Sequence, residues 1–323
     1  LRRRHALHGI ALDDDEIVVT HGAMEALNLC LQAVTCPGDL VAVESPTFYA
    51  ALQALERLHL RAVEVATDPR DGVDLDALAA LLERHRIAAC WFMPSFQNPL
   101  GALMPPARKQ ALVALLARHG VPLIEDDVYA ELHAERRRPP PAKAFDRAGG
   151  VLHCGSFSKC LAPGYRVGWA AAGRHAREVL RLKMATSLAT SVPAQAALAD
   201  YLAQGTYDRH LRGLRAALAE AQRQARRVVE RSFPAGTRLT QPAGGYFLWV
   251  ELPQAVDALA LHRRALAHGI STAPGVLFSA DRRFVHHLRL NVGHPGDRRI
   301  APALRTLGEL AAALAREASD RAV

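Results

Sequence analysis

Between residues 13 and 173 short apolar runs alternate with amphipathic segments, and this alternation restricts the fold more than any other feature of the chain. Residues 17–19, 40–44, 60–65, 88–93, 121–125 and 151–154 read as strands. Helical runs lie between them: one opening at Thr20-His21-Gly22-Ala23-Met24-Glu25 and running to about Val34, others starting near Ser45-Pro46, at Asp74-Leu75-Asp76, and at Pro106. Strands joined by helices pair in parallel, so the expectation is α/β: a doubly wound, mainly parallel sheet, with ligands bound beyond the carboxyl ends of its strands. Further on, helices are expected at 174–187 and from 192 to about 232, with a break near Gly205. Strands at 238–240, 246–251, 270–272 and 287–292, with helices at 257–268 and 297–317, then read as a smaller α+β domain. The expected division is residues 1–205 for the large domain and 206–323 for the small one.

The strand ends carry the chemistry. After residues 17–19, Gly22 lets the backbone approach a ligand, and the first N–H groups of the following helix, from Ala23 and Met24, form an anion-binding arrangement. Phe48, at another helix start, either stacks on a flat heteroaromatic ring or packs in the core. The loop Pro94-Ser95-Phe96-Gln97-Asn98-Pro99-Leu100-Gly101 is dense in breakers and polar groups, and a cis peptide before Pro99 is expected. The strand ending at Glu125 runs into Asp126-Asp127-Val128-Tyr129. The run Val151-Leu152-His153-Cys154 leads into Gly155-Ser156-Phe157-Ser158-Lys159-Cys160, with Arg166 seven positions beyond the lysine. An amine among small residues at a strand end suits a desolvated nucleophile that forms a Schiff base with a carbonyl compound. Ser156, Ser158, nearby N–H groups and Arg166 suit a phosphate.

Composition sharpens that choice. The chain has 323 residues and 40 lysines and arginines, only four of them lysine. Lys109, Lys143 and Lys183 read as solvated surface groups, which leaves Lys159 for a covalent role. The loop Arg136-Arg137-Arg138-Pro139-Pro140-Pro141 reads as a solvated connection. The net charge of +8 is scattered, without the compact arm of a nucleic-acid binder. Five cysteines without a CxxC pair read as free thiols in a reducing cytoplasm, and no run is apolar enough to span a membrane. HExxH, Walker A and GxGxxG patterns and a Ser/His/Asp elbow are missing, so a metal site is not expected. The chain opens on Leu1 inside a helix-like run and is read as a fragment whose N-terminal part lies outside it.

The segment from Gly155 to Trp169 resembles the lysine segment of fold-type I enzymes dependent on pyridoxal phosphate, in the class I/II aminotransferase group, and the resemblance extends over nearly the whole chain. It implies an aspartate aminotransferase-like fold and a homodimer with sites at the subunit interface. By that resemblance Lys159 binds the cofactor covalently, Asp126 pairs with its pyridine nitrogen, and Tyr129 and Asn98 bond its phenolic oxygen. Phe48 stacks on the ring, while Gly22, Ala23, Met24, Ser156, Ser158 and Arg166 surround the phosphate, and Arg289 grips the α-carboxylate of an amino acid or 2-oxo acid. Ala23 and Met24 stand where many such enzymes carry a polar pair, so backbone donors are expected to serve the phosphate there. The motifs Ser95-Phe96-Gln97-Asn98-Pro99-Leu100-Gly101, Leu123-Ile124-Glu125-Asp126-Asp127-Val128-Tyr129, Ser156-Phe157-Ser158-Lys159-Cys160-Leu161-Ala162-Pro163-Gly164 and Gly244-Gly245-Tyr246-Phe247-Leu248-Trp249 are similar to those of MocR-type regulators of the GntR family. There an aminotransferase-like domain follows an N-terminal winged helix-turn-helix, so DNA contact is expected only through a module upstream of Leu1. A free-standing aminotransferase is the alternative.

Overall fold

In the computed structural model, which describes residues 1–135 and 137–321, the expected alternation is present. A short helix α1 (Arg2–Ala6) precedes β1 (Ile17–Thr20), α2 (Ala23–Val34), β2 (Leu40–Ser45), α3 (Tyr49–Arg57), β3 (Arg61–Asp68) and β4 (Gly72–Val73). There follow α4 (Leu75–Arg84), β5 (Ile87–Phe92), α5 (Pro106–His119), β6 (Leu123–Asp126), β7 (Val151–Ser156) and β8 (Gly168–Ala171). Local chemistry sets several boundaries. The Asp74 carboxylate accepts the N–H groups of Asp76 and Ala77 and caps α4. Proline opens α5, and Gly120, at φ +66°, closes it.

Eight strands form one sheet in the order β1-β8-β7-β6-β5-β2-β3-β4. The run from β7 through β6, β5 and β2 to β3 is parallel. Strand β8 lies antiparallel between β7 and β1, so β1 points the same way as β7. Strands β5 and β7 are almost wholly buried, as strands covered by helices on both faces must be. The chain winds outward in opposite directions from β2 and from β5, and the crevice between them opens at the ends that carry Ser45, Phe92, Asp126 and Ser156. Asn98–Pro99 is cis, as expected, and so is Ser45–Pro46.

Beyond β8 come α6 (Ala176–Thr186), α7 (Val192–Ala203) and α8 (Thr206–Ser232), with Gly205 at φ +67° separating the last two. A second, antiparallel sheet has the order β11-β12-β10-β9, from β9 (Arg238–Leu239), β10 (Phe247–Glu251), β11 (Ala273–Pro274) and β12 (His287–Asn291). Helices α9 (Ala258–Ala267) and α10 (Ile300–Arg321) cover it. Helix α8 bridges the two sheets. Leu211 and Leu218 pack with Tyr129 and Phe157, whereas Ala225 and Val229 pack with β10 and β12. Three expectations shift: the strand at 270–272 forms instead at Ala273–Pro274, α10 starts at Ile300, and residues 173–175 form a 3-10 turn ahead of α6. No helix among the described residues is long and apolar enough to cross a membrane.

The lysines reverse the sequence reading. Lys109, Lys143 and Lys183 are all buried, not solvated. Each ammonium finds its partners indoors. Lys109 Nζ donates to Ser95 Oγ at 2.7 Å and to Pro140 O at 2.9 Å, and Lys143 Nζ to Val151 O at 2.8 Å and to Asp146. Lys183 Nζ donates to Glu25 at 3.1 Å and to Ser187. A compact ammonium with three donors suits such tight sites, whereas arginine supplies the surface charge. The Arg-Pro loop is corrected too. Arg138 donates to the buried Asp127 at 2.5 Å and is not a solvated connection; Arg136 lies outside the described residues. Lys109→Ala is expected to cost about 3 kcal/mol of stability by leaving buried acceptors unpaired, measured by chemical denaturation.

Candidate active site

The sheet topology delivers the residues singled out in the sequence to one cavity of about 300 Å³, lined by Ala23, Met24, Phe48, Asn98, Asp126, Tyr129, Ser156, Ser158, Lys159, Arg166 and Arg289. Gly22 shapes the wall behind Arg166 without lining the space.

At one end the backbone forms a cradle. Gly22, at φ +80°, is the N-cap of α2, and no side chain caps that helix. Its first residues, Ala23 and Met24, line the same space as Ser156, Ser158 and Arg166. Arg166 donates to Ser158 Oγ at 3.3 Å and to His21 O at 3.2 Å. A Cβ on Gly22 would lie 2.5 Å from Arg166 Nη2, and one on Gly168 would lie 2.5 Å from the Gly22 carbonyl carbon. Gly22→Ala is therefore expected to lower cofactor affinity at least about tenfold, through backbone strain and a displaced guanidinium, read by absorbance titration.

Asp126 ends β6 with its carboxylate buried, and its Oδ1 has no hydrogen-bond partner among the described residues. Burial, reinforced by the charge of Asp127 and opposed by the Val128 N–H and Lys159, pushes its pKa up to about 7. Asp127 shifts in the opposite direction. Burial alone would raise it, but Arg138 and His153, with His153 Nε2 at 2.9 Å, hold it below the usual carboxylate range.

Lys159 departs from expectation in one respect. It is the exposed lysine of the four, opening into the cavity of the single chain instead of being sealed in it. Its pKa is nevertheless lowered, by partial burial first, with Arg289 and Arg166 adding to the effect and Asp126 opposing it. The loop that carries it lies on the surface: Tyr165 and Arg166 are exposed as well.

At the far end Arg289 of β12 donates to Asn98 Oδ1 at 2.8 Å. Its guanidinium carbon sits 4.2 Å from the Phe247 ring centre and 5.2 Å from that of Phe278, while Nε has no partner among the described residues. Aromatic faces thus hold the cation while leaving hydrogen-bonding capacity for an anion. Tyr129 is buried edge-on to Tyr246 at 5.4 Å, and burial raises its phenol well above the usual range.

The cavity also includes Tyr49, Met93, Tyr246, Phe247 and Asn291, which the sequence reading did not assign to it. Asn291 was within reach of a simple rule, since residues two apart on a strand share a face, and Arg289 had already been singled out. Tyr246 lies inside the motif at residues 244–249, where no local signal shows which way its ring turns.

The chain belongs to the class I and II aminotransferases: that family's model matches residues 2–314. The chain is 52% identical to the uncharacterized HTH-type transcriptional regulator YdcR of Escherichia coli over 310 residues, 96% of this chain and 66% of that one. It thus spans about two thirds of the length of that relative. Among solved structures it matches the multiple substrate aminotransferase of Thermococcus profundus, with TM-score 0.90 and 30% identity over 98% of this chain and 79% of that one. It also matches LysN of Thermus thermophilus, an α-aminoadipate aminotransferase complexed with N-(5'-phosphopyridoxyl)-L-leucine, with TM-score 0.87 and 32% identity over 93% of this chain and 78% of that one. The fold is thus the aspartate aminotransferase-like fold, and pyridoxal phosphate is the cofactor that goes with the family. The cavity fits that group: a buried carboxylate oxygen without a partner suits a protonated ring nitrogen, and the glycine-shaped cradle at α2 suits a phosphate.

Proposed function

We propose that this chain is the effector-sensing domain of a MocR-type regulator of the GntR family, which binds pyridoxal phosphate and exchanges the cofactor's covalent lysine bond for one to an amino acid. The observation that carries this reading is the match over nearly all of the chain, but only 66% of the relative, to a helix-turn-helix transcriptional regulator. DNA contact would come from a module upstream of Leu1. The alternative is a free-standing aminotransferase moving an amino group from an amino acid to a 2-oxo acid, which the similarity to aminotransferase structures supports.

Each residue's role follows from its chemistry. Bound in the cavity, pyridoxal phosphate supplies an electron sink beside the substrate's α-carbon. Asp126 holds the proton on the ring nitrogen, and Phe48 flanks the ring. Tyr129 and Asn98 serve the phenolic oxygen. The N–H groups of Ala23 and Met24, reached past Gly22, hold the phosphate with Ser156, Ser158 and Arg166. Arg289 pairs with the substrate carboxylate and Asn98 steadies it, while the freed Lys159 Nζ moves the α-proton.

We place the boundary of the large domain at residue 205 and of the small one at 206, where Gly205 interrupts the helical path. We also assign the chain to a homodimer in the cytoplasm. Supporting the dimer, α7 buries only Leu198, and Leu180, Met184, Leu188 and Val192 follow one another along α6, its exit and α7 as exposed apolar side chains. The open Lys159–Arg166 loop would be closed by the partner.

The test is to add pyridoxal phosphate and screen amino acids and 2-oxo acids for changes in visible absorbance. Sustained conversion of amino acid to 2-oxo acid favours the free-standing enzyme. A single spectral shift without turnover, with a winged-helix module in the upstream reading frame, favours the regulator. No visible band at all would sink both readings.

A further inference from the structure

A buried carboxyl group that the chemistry above does not use lies one residue before the end of β2. Glu44 is 2% exposed, and burial, opposed by two hydrogen bonds and reinforced by the charge of Asp126, raises its pKa to about 8. Its Oε2 accepts the Met93 N–H at 3.0 Å and the side-chain amide of Gln97 at 3.4 Å. Gln97 is itself fully buried, and each of its polar groups is engaged. The amide nitrogen also donates to Pro46 O at 2.7 Å, and the amide oxygen accepts the Leu100 N–H at 2.9 Å. Its backbone N–H donates to Ala102 O at 3.0 Å, and its carbonyl accepts the Gly101 N–H at 2.6 Å.

The next residue is Asn98, whose side-chain oxygen makes the one hydrogen bond to the Arg289 guanidinium among the described residues. The aromatic faces around Arg289 attract its charge but set no direction in the guanidinium plane. Only the Asn98 bond does so, and Asn98 sits on a loop. A loop gains that precision from a buried, fully satisfied polar network behind it. The route therefore runs from β2 through Glu44, Gln97 and Asn98 to Arg289, crossing from the large sheet to the small one.

We propose that Glu44 and Gln97 are positioning residues for carboxylate recognition, locking the Asn98 loop so that Arg289 presents its free donors in one orientation. This rests on Arg289 being the partner of the substrate carboxylate. Neither residue reaches the cavity, and because Asn98 also serves the cofactor, their effect on carboxylate recognition is read as a ratio of two probes on the same bound cofactor, in which a change in cofactor binding cancels.

The experiment uses two oxyamines that react at the cofactor carbonyl and bleach its visible band: aminooxyacetate, which carries a carboxylate, and methoxyamine, which does not. The ratio of their second-order rate constants isolates the carboxylate contribution. In the cofactor-loaded chain, Glu44→Ala and Gln97→Ala are expected to lower that ratio about tenfold, with methoxyamine rates close to the unsubstituted ones. Glu44→Gln, whose amide oxygen still accepts from Met93 and Gln97, is expected to keep the ratio within about threefold. Should Glu44→Ala not fold, judged by its circular dichroism and thermal midpoint, Gln97→Ala carries the test. An unchanged ratio in a folded alanine variant overturns the proposal. So does an equal loss with both probes, because that marks a general structural contact. If the unsubstituted chain reacts with both probes but shows no carboxylate preference, the role given to Arg289 falls; if it reacts with neither, the cofactor reading itself falls, and in both cases the positioning role falls too.

Discussion

Lys159→Ala is expected to abolish the visible band that appears when pyridoxal phosphate is added to the chain, and to reduce any amino-acid turnover by about 10²–10⁴-fold. Both number and position single out Lys159. Four lysines exist, three are buried with partners of their own, and Lys159 alone opens into the cavity, with an amine whose pKa is already lowered. A lowered pKa increases the neutral fraction near pH 7, which is the form that attacks a carbonyl. Lysine-free binding of the cofactor through its phosphate is expected to persist in the variant, because the cradle around Gly22 and Arg166 does not involve Lys159. Difference spectra and equilibrium dialysis separate the two losses. A visible band of normal intensity in Lys159→Ala would refute the assignment.

Asp126→Asn is the second large effect. Amide for carboxylate keeps the shape but withdraws the charge that holds a proton on the ring nitrogen, and loss of about 10²–10³-fold in single-turnover rate is expected. The same residue sets a pH signature. Its pKa is raised to about 7 in the cofactor-free chain, chiefly by burial, so the folded state binds its proton more tightly than the unfolded state does. The stability it contributes is fully present below the unfolded value near pH 4 and is lost as pH rises through 7. Glu44, raised to about 8, acts in the same direction. Both carboxyls push the thermal midpoint of the cofactor-free chain down between pH 5 and pH 8, against buried His5, whose pKa, lowered to about 3, pushes it up, and Asp126→Asn should remove the Asp126 share of the downward push. Cofactor should stabilise the unsubstituted chain more at pH 8 than at pH 5, since a cationic ring nitrogen offsets the buried charge. An equal pH response in Asp126→Asn and the unsubstituted chain would contradict the role given to Asp126.

Much of this was readable along the chain. Alternating strand and helix signals required a doubly wound sheet, and the general rule for such sheets sent Asn98, Asp126 and Lys159 to one crevice. Those inferences succeed because the periodicity that marks a buried strand is local, and because right-handed crossovers leave few ways to join such strands. The break at Gly205 was legible for the same kind of reason: a glycine closes one helix by taking a backbone angle that other residues resist.

What the chain's order of residues determined by itself was therefore the class of fold and the set of strand-end residues that meet in one cavity. Only the tertiary structure decided which charges are buried and how the site is steadied. Lys183 meets Glu25 across 158 positions, and Arg289 meets Asn98 across 191. The strand expected at 270–272 moved to Ala273–Pro274 because its pairing with Leu288 and Arg289 sets the register. Whether an ammonium is solvated, or a carboxyl such as Glu44 becomes a strut, depends on partners that no local pattern names. Sequence periodicity reports which face of an element turns inward, and only packing in three dimensions supplies what that face meets.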